Sequence, residues 1–80
     1  MNLTIVNLFN KTICRAAEGL NVQILWFYDS EEPVISESYS NHKGQVILSH
    51  FHIGKAKVLV DGEEHGIFNT PGIHTIILED

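Results

Sequence analysis

Gly19-Leu-Asn-Val-Gln-Ile-Leu25, Pro33-Val-Ile-Ser-Glu-Ser-Tyr-Ser-Asn-His-Lys-Gly-Gln-Val-Ile-Leu48 and Ile53-Gly-Lys-Ala-Lys-Val-Leu-Val-Asp-Gly62 are the stretches that decide the fold. Each sets a short run of β-branched and aliphatic residues between turn formers. Apolar and polar residues alternate through much of each run, the pattern of a half-buried strand. Pro33 fixes its own φ and drives its predecessor out of the helical region, so Asp29–Pro33 reads as a turn. Ser40–Gly44 has hairpin length and supplies a glycine for positive φ, and Asp61-Gly62 is a strong hairpin dipeptide.

Working outward, Leu3–Phe9 is a first strand, closed by Asn10-Lys11. Val22–Tyr28 is a second, with Val22, Ile24, Trp26 and Tyr28 on one face and Leu25 and Phe27 on the other. Val34–Tyr39, Gln45–Ser49, Lys55–Val60 and Glu63–Phe68 follow. Asn69–Gly72 is a turn, and His74–Leu78 is the last strand. Only Cys14–Leu20 offers a single helical turn, which Gly19 would end. Seven short strands with frequent turns and almost no helix predict an all-β chain, a small antiparallel β-sandwich.

With 80 residues the chain makes one domain, 1–80, and 44% hydrophobic residues suffice for a thin two-layer core. Domains of this size hold only a few kcal/mol of net stability, so a self-associating surface would help it. The one cysteine, Cys14, allows no internal disulfide and points to a reducing compartment. The opening Met-Asn-Leu-Thr-Ile-Val has no basic n-region, and no apolar run approaches the roughly 20 residues of a membrane helix. A cytoplasmic chain with no membrane partner is the expectation. The net charge is −5, and Lys11, Arg15, Lys43, Lys55 and Lys57 are scattered rather than striped, which argues against nucleic-acid binding.

The strand order resembles the transthyretin-like sandwich, particularly the carboxypeptidase regulatory-like (prealbumin-like) domains. The matching residues are Gly19, Val22 and Ile24, then Ser40-Asn41-His42-Lys43-Gly44, then Gly54-Lys55-Ala56-Lys57-Val58-Leu59-Val60. They span most of the chain, from Ala17 to Leu78, and each motif is short. Ala56 departs from the pattern, which usually has an aromatic there, and Phe51 or Phe68 is the candidate replacement plug. The resemblance implies a non-catalytic interaction or scaffolding module with no cofactor. The family's hydrolase branch carries a C-terminal Tyr-Arg-Gly-Ser, whereas this chain ends Ile77-Leu78-Glu79-Asp80, so that activity is not carried over.

Five histidines form the sharpest compositional anomaly. His50-Phe-His52 sets two imidazoles on one side of an extended segment, about 7 Å apart and within reach of one metal. With Gly44 before the pair and Pro71-Gly-Ile-His74 after it, the segment is similar to a shortened cupin pattern. That resemblance implies an alternative, a small metal-binding protein using His50, His52 and His74. Ala56 and Lys57 stand where the pattern expects a glutamate ligand. Cys14 lacks a recognisable orienting partner or oxyanion motif, and the paired acids at Glu31-Glu32, Glu63-Glu64 and Glu79-Asp80 read as solvated turns.

Trp26-Phe27-Tyr28 is the candidate contact site, because neighbouring strand residues face opposite ways and one set should lie outside the core. An open sandwich with few basic residues and little proline also leaves strand edges weakly protected against pairing. The expected function is therefore structural. The chain would act by contact with a protein partner or by homo-oligomerisation, as a virion or appendage accessory subunit or as a small inhibitor.

Overall fold

A computed structural model describes residues 1–79. Among these residues the regular structure is all strand: β1 (Asn2–Asn10), β2 (Arg15–Ala16), β3 (Asn21–Trp26), β4 (Val34–Tyr39), β5 (Gln45–His50), β6 (Gly54–Val60), β7 (Glu63–Thr70) and β8 (Ile73–Leu78). The seven strands read from the sequence are present with ends shifted by a residue or two. The addition is β2, which replaces the single helical turn expected over Cys14–Leu20. Cys14 sits at φ 53°, which a right-handed turn does not accommodate. The Asn10 side chain accepts from the Thr12 and Ile13 amides at 2.9 and 3.3 Å, and Ala17 N–H donates to Leu8 O at 3.1 Å. The segment's polar groups are thus spent on β1.

Two sheets face each other. One has the order β4-β3-β6-β7, antiparallel throughout. In the other, β1 is central: β5 and then β2 pair antiparallel along one side of it, and β8 lies along the other. The expected all-β antiparallel sandwich is present, and the β1–β8 pairing, from Ile5↔Ile73 to Asn10↔Leu78, is a parallel ladder within it. Parallel neighbours need a long crossover rather than a hairpin. Here nearly the whole chain intervenes, winding through the opposite sheet.

The core is the set of inward residues of both sheets. Val6 and Leu8 of β1, Val46 and Leu48 of β5 and Ile76 of β8 meet Val22, Ile24 and Trp26 of β3 and Ala56, Val58 and Val60 of β6. Burying each large aliphatic contributes about 1.5–3 kcal/mol, before the entropy of ordering it is counted. Ala56 pairs across the ladder with Phe68, which is half-buried against the core and supplies the missing bulk, whereas Phe51 is exposed. The Asp61-Gly62 hairpin behaves as its sequence predicts, with φ values of 49° and 84° at its two central residues.

On one flank the edges of β4 and β5 approach each other, and Ser36 Oγ donates to Ser49 O at 3.0 Å across the gap. On the other flank, no strand pairs with the outer edges of β7 and β8 among the described residues.

Candidate functional site

The outward side chains of the β5-β1-β8 sheet follow from the ladder register. Ile47, Ile5 and Ile73 form one row across the three strands, and Gln45, Asn7 and Thr75 form the next. Phe9 stands beside Ile77 at one end, and Leu3 beside Ser49 at the other. None of these ten residues is charged, in a chain with ten acids and five basic residues. Ile73 is 70% exposed, Leu3 and Ile47 53%, and Ile77 51%. Scattered exposed aliphatics are ordinary on a surface; a sheet face that gathers six apolar residues and no charge is not.

The outer face of the second sheet shows the contrast. There Gln23 Nε2 donates to Glu37 Oε2 at 2.9 Å, and Lys57 Nζ lies 3.4 Å from Glu64 Oε1. The same ammonium stands 5.1 Å from the centre of the Tyr28 ring. Exposed apolar side chains occur there too, at Ile35, Tyr39 and Ile67, but they are set among Glu37, Lys57 and Glu64. Val46-Ile47-Leu48 and Ile76-Ile77-Leu78 are unbroken apolar runs, and so are Ile24-Leu25-Trp26 and Val58-Leu59-Val60 of the opposite sheet. Such runs suit strands covered on both sides, and it is the absence of charge that sets the β5-β1-β8 face apart.

The aromatic triplet divides. Trp26 is buried and its indole N–H donates to Thr70 Oγ1 at 3.0 Å, which in turn donates to Gly54 O at 2.7 Å. It is a core residue and is removed from the candidate contacts. Phe27 has φ 56°, which ends the strand and breaks the alternation, so Tyr28 does not continue the Trp26 face. Phe27 is exposed, edge-on to the His52 ring at 5.5 Å between centroids.

The histidines divide as well. His50 is buried, its ring 4.7 Å from that of Trp26. Its Nδ1 lies 2.8 Å from His52 O and its Nε2 2.6 Å from Thr4 Oγ1. A carbonyl only accepts, so Nδ1 carries the hydrogen and, in the neutral ring, Nε2 accepts from the threonine hydroxyl. Both nitrogens are committed, which leaves none for a metal. His74 is engaged elsewhere, with Nε2 2.7 Å from Asn69 O and its ring 4.8 Å from that of Phe68. His50 and His52 are neighbours across Trp26, but His74 does not join them. No group of three His, Cys, Asp or Glu suited to a metal occurs among the described residues. Cys14 is exposed, on the turn before β2.

The Thr4–His50 bond makes a direct prediction. Thr4→Val should lower unfolding free energy by about 1–3 kcal/mol, because a buried ring nitrogen loses its partner. The double variant Thr4→Val, His50→Leu should fall short of the sum of the two single losses. Urea titration of the four proteins checks this, and strictly additive losses would show that the pair is not coupled.

Two clefts open on the surface. One of about 220 Å³ lies where β4 and β5 part, lined by Trp26, Ile35, Ser49 and His52 among others. The other, about 350 Å³, lies at the opposite end of the sandwich and has an apolar floor that includes Leu20 and Leu78 with Glu18, Asp61 and Glu63 around it. Neither gathers a nucleophile, a base and an anion-binding group.

No protein-family model matches this chain, and no curated protein matches it in sequence. The described residues contain no helix long and apolar enough to cross a membrane.

Proposed function

We propose that this domain is a non-enzymatic structural module that works by self-association, with the outer face of the β5-β1-β8 sheet buried between copies. One observation carries the reading: that face presents six apolar residues, the Ile47-Ile5-Ile73 row with Leu3, Phe9 and Ile77, and no charge, while the opposite sheet's outer face holds the Lys57–Glu64 ion pair and the Gln23–Glu37 contact. The occupant is a second copy, because an uncharged, largely apolar surface is complementary to itself, as an interface related by a two-fold axis requires. At a net charge of −5 this face is also one where two copies can meet without opposing like charges.

The transthyretin-like reading of the sequence belongs to the same proposal. Its support is the two-sheet sandwich, with Gly19 and Gly54 at the entries to β3 and β6 and the Ser40–Gly44 turn leading into β5. An interaction module of that type has no need of the histidines as ligands.

Ile47→Lys tests the function. Ile47 lies on β5 in the all-aliphatic row of the face, where a lysine would have to bury an unpaired charge on association, at a cost of about 3–5 kcal/mol. Light scattering on the eluting protein should show the wild type as an oligomer and Ile47→Lys shifted to smaller species at equal concentration. Gln23→Lys, on the charged face of the opposite sheet, should keep the wild-type mass. An oligomer unchanged by Ile47→Lys, or a wild type that is monomeric throughout, would overturn the reading.

A further inference from the structure

The molecule's four sheet edges are not equally protected. Those of β4 and β5 face each other across the Ser36–Ser49 bond. β7 starts with Glu63-Glu64 and its ladder with β6 is interrupted by an irregularity opposite Val58 and Leu59, next to Gly66 at φ 118°. Charge and a bulge are the ordinary means of blocking an edge. β8 has neither. Ile73-His-Thr-Ile-Ile-Leu78 contains no lysine, no acid and no proline, its ladder with β1 is regular, and Pro71 stands just outside it.

The phase of the β1–β8 ladder says which groups that edge offers. Ile5 N–H donates to Gly72 O and Lys11 N–H to Leu78 O, both at 2.9 Å. In a regular parallel ladder these bonds put the even-numbered residues of β8 toward β1. Ile73, Thr75 and Ile77 therefore turn their backbone N–H and C=O groups to the free side. The same three residues carry their side chains on the uncharged outer face.

We infer that two copies join through antiparallel pairing of β8 with β8 about a two-fold axis at Thr75. In this register Thr75 faces its own copy, and Ile73 faces Ile77 of the other chain. Each is a hydrogen-bonded pair, so all three outward residues are satisfied with about six bonds. Shifting the register to centre on His74 or Ile76 leaves one of the three unpaired. Cross-strand threonine and isoleucine pairs are favourable ones, and the Glu79 carboxylate next to the joint is held by Lys11 at 2.6 Å.

This inference rests on the self-association reading and explains how a narrow face is made wide enough for it. Three strands at the usual spacing are only about 14 Å across, and a stable interface needs roughly 800 Å² per partner. Joining two copies edge to edge makes one continuous sheet, β5-β1-β8 followed by its two-fold mate, with the uncharged face doubled.

The test uses cysteine and proline at position 75. Two residues in a hydrogen-bonded antiparallel pair have Cα atoms about 5.5 Å apart, within disulfide range. In a Cys14→Ser background, Thr75→Cys should form a covalent dimer on mild oxidation. Ile77→Cys, also exposed but offset from its own copy, should not. Thr75→Pro removes the central edge donor without touching the β1 ladder, and edge strands accept proline where the N–H faces outward. It should weaken association about 100-fold with an unchanged circular dichroism spectrum. Equal cross-linking of the two cysteine variants, or a Thr75→Pro protein with wild-type association, would overturn the joint. If Ile47→Lys still dissociates the protein in that case, the face reading stands and only the β8 joint falls. A wild type that is monomeric at every concentration removes both.

Discussion

Gly44→Ala is expected to leave most of the protein unfolded at 25 °C. Gly44 is buried at φ 74°, in the left-handed region that costs a residue with a Cβ about 1–3 kcal/mol. A methyl group there would also collide with the Leu8 carbonyl oxygen and lie 2.9 Å from Ala16 Cβ. Neither neighbour can yield. Leu8 O is the acceptor for Ala17 N–H, and Leu8 N–H donates to Gly44 O at 2.7 Å, so this is where β1 passes from β5 to β2. Strain and clash together should remove about 3–5 kcal/mol, which is comparable with the whole stability of a domain this small. The matched control is Gly19→Ala. Its φ is 78°, but nothing lies within 4 Å of the added carbon, so it should lose only the strain component. Urea titration followed by far-ultraviolet circular dichroism separates the two. Equal losses in the two variants would show that close packing at Gly44 contributes nothing.

Trp26→Ala is the second large effect, with an expected loss of about 3–5 kcal/mol from the cavity it opens between the sheets. Trp26 is 3% exposed and packs its ring against His50, so the surroundings have little room to collapse. Trp26→Phe should cost less, about 1–2 kcal/mol, because it keeps an aromatic ring in place and strands no polar group. Thr70 Oγ1 loses the indole donor but still donates to Gly54 O. The pair is read by denaturant midpoint and slope. A Trp26→Ala protein as stable as Trp26→Phe would mean that the indole site is solvated rather than packed.

The same tryptophan shows what could be read from the chain and what could not. Alternation over Val22, Ile24 and Trp26 identifies the buried face of β3, and turn formers at Pro33, Gly44 and Asp61-Gly62 set its neighbours. Strand positions were legible for that reason. Alternation says nothing of a residue that leaves the strand conformation, and Phe27 does so with φ 56°, which is why Tyr28 was assigned to the wrong face. The parallel alignment of β1 with β8 was hidden for a different reason. Each strand's own pattern is the same whichever way its neighbour runs, and no turn joins the two. The candidate site was half legible. Its uncharged outward residues lie in the sequence at β1, β5 and β8, but nothing local says that those three strands share a sheet. The spacing of the histidines fits a shared metal, but spacing does not show that His50 spends both ring nitrogens on Thr4 and on His52 O, or that His74 turns its Nε2 to Asn69 O.

The parallel pairing also sets a timetable. β3 with β4 and β6 with β7 are neighbours in sequence and can close as soon as they are made. β1 meets partners that arrive much later: β5 after half the chain, and β8 last of all. Contacts of such long range are entropically costly to close and slow to form. A chain emerging from the ribosome therefore completes one sheet early and holds β1 without its parallel neighbour until β8 emerges. During that interval Ile5, Val6 and Leu8 border an open edge, and a nascent chain close by offers the same edge. The arrangement makes the newly made protein most vulnerable to mispairing just before β8 is delivered.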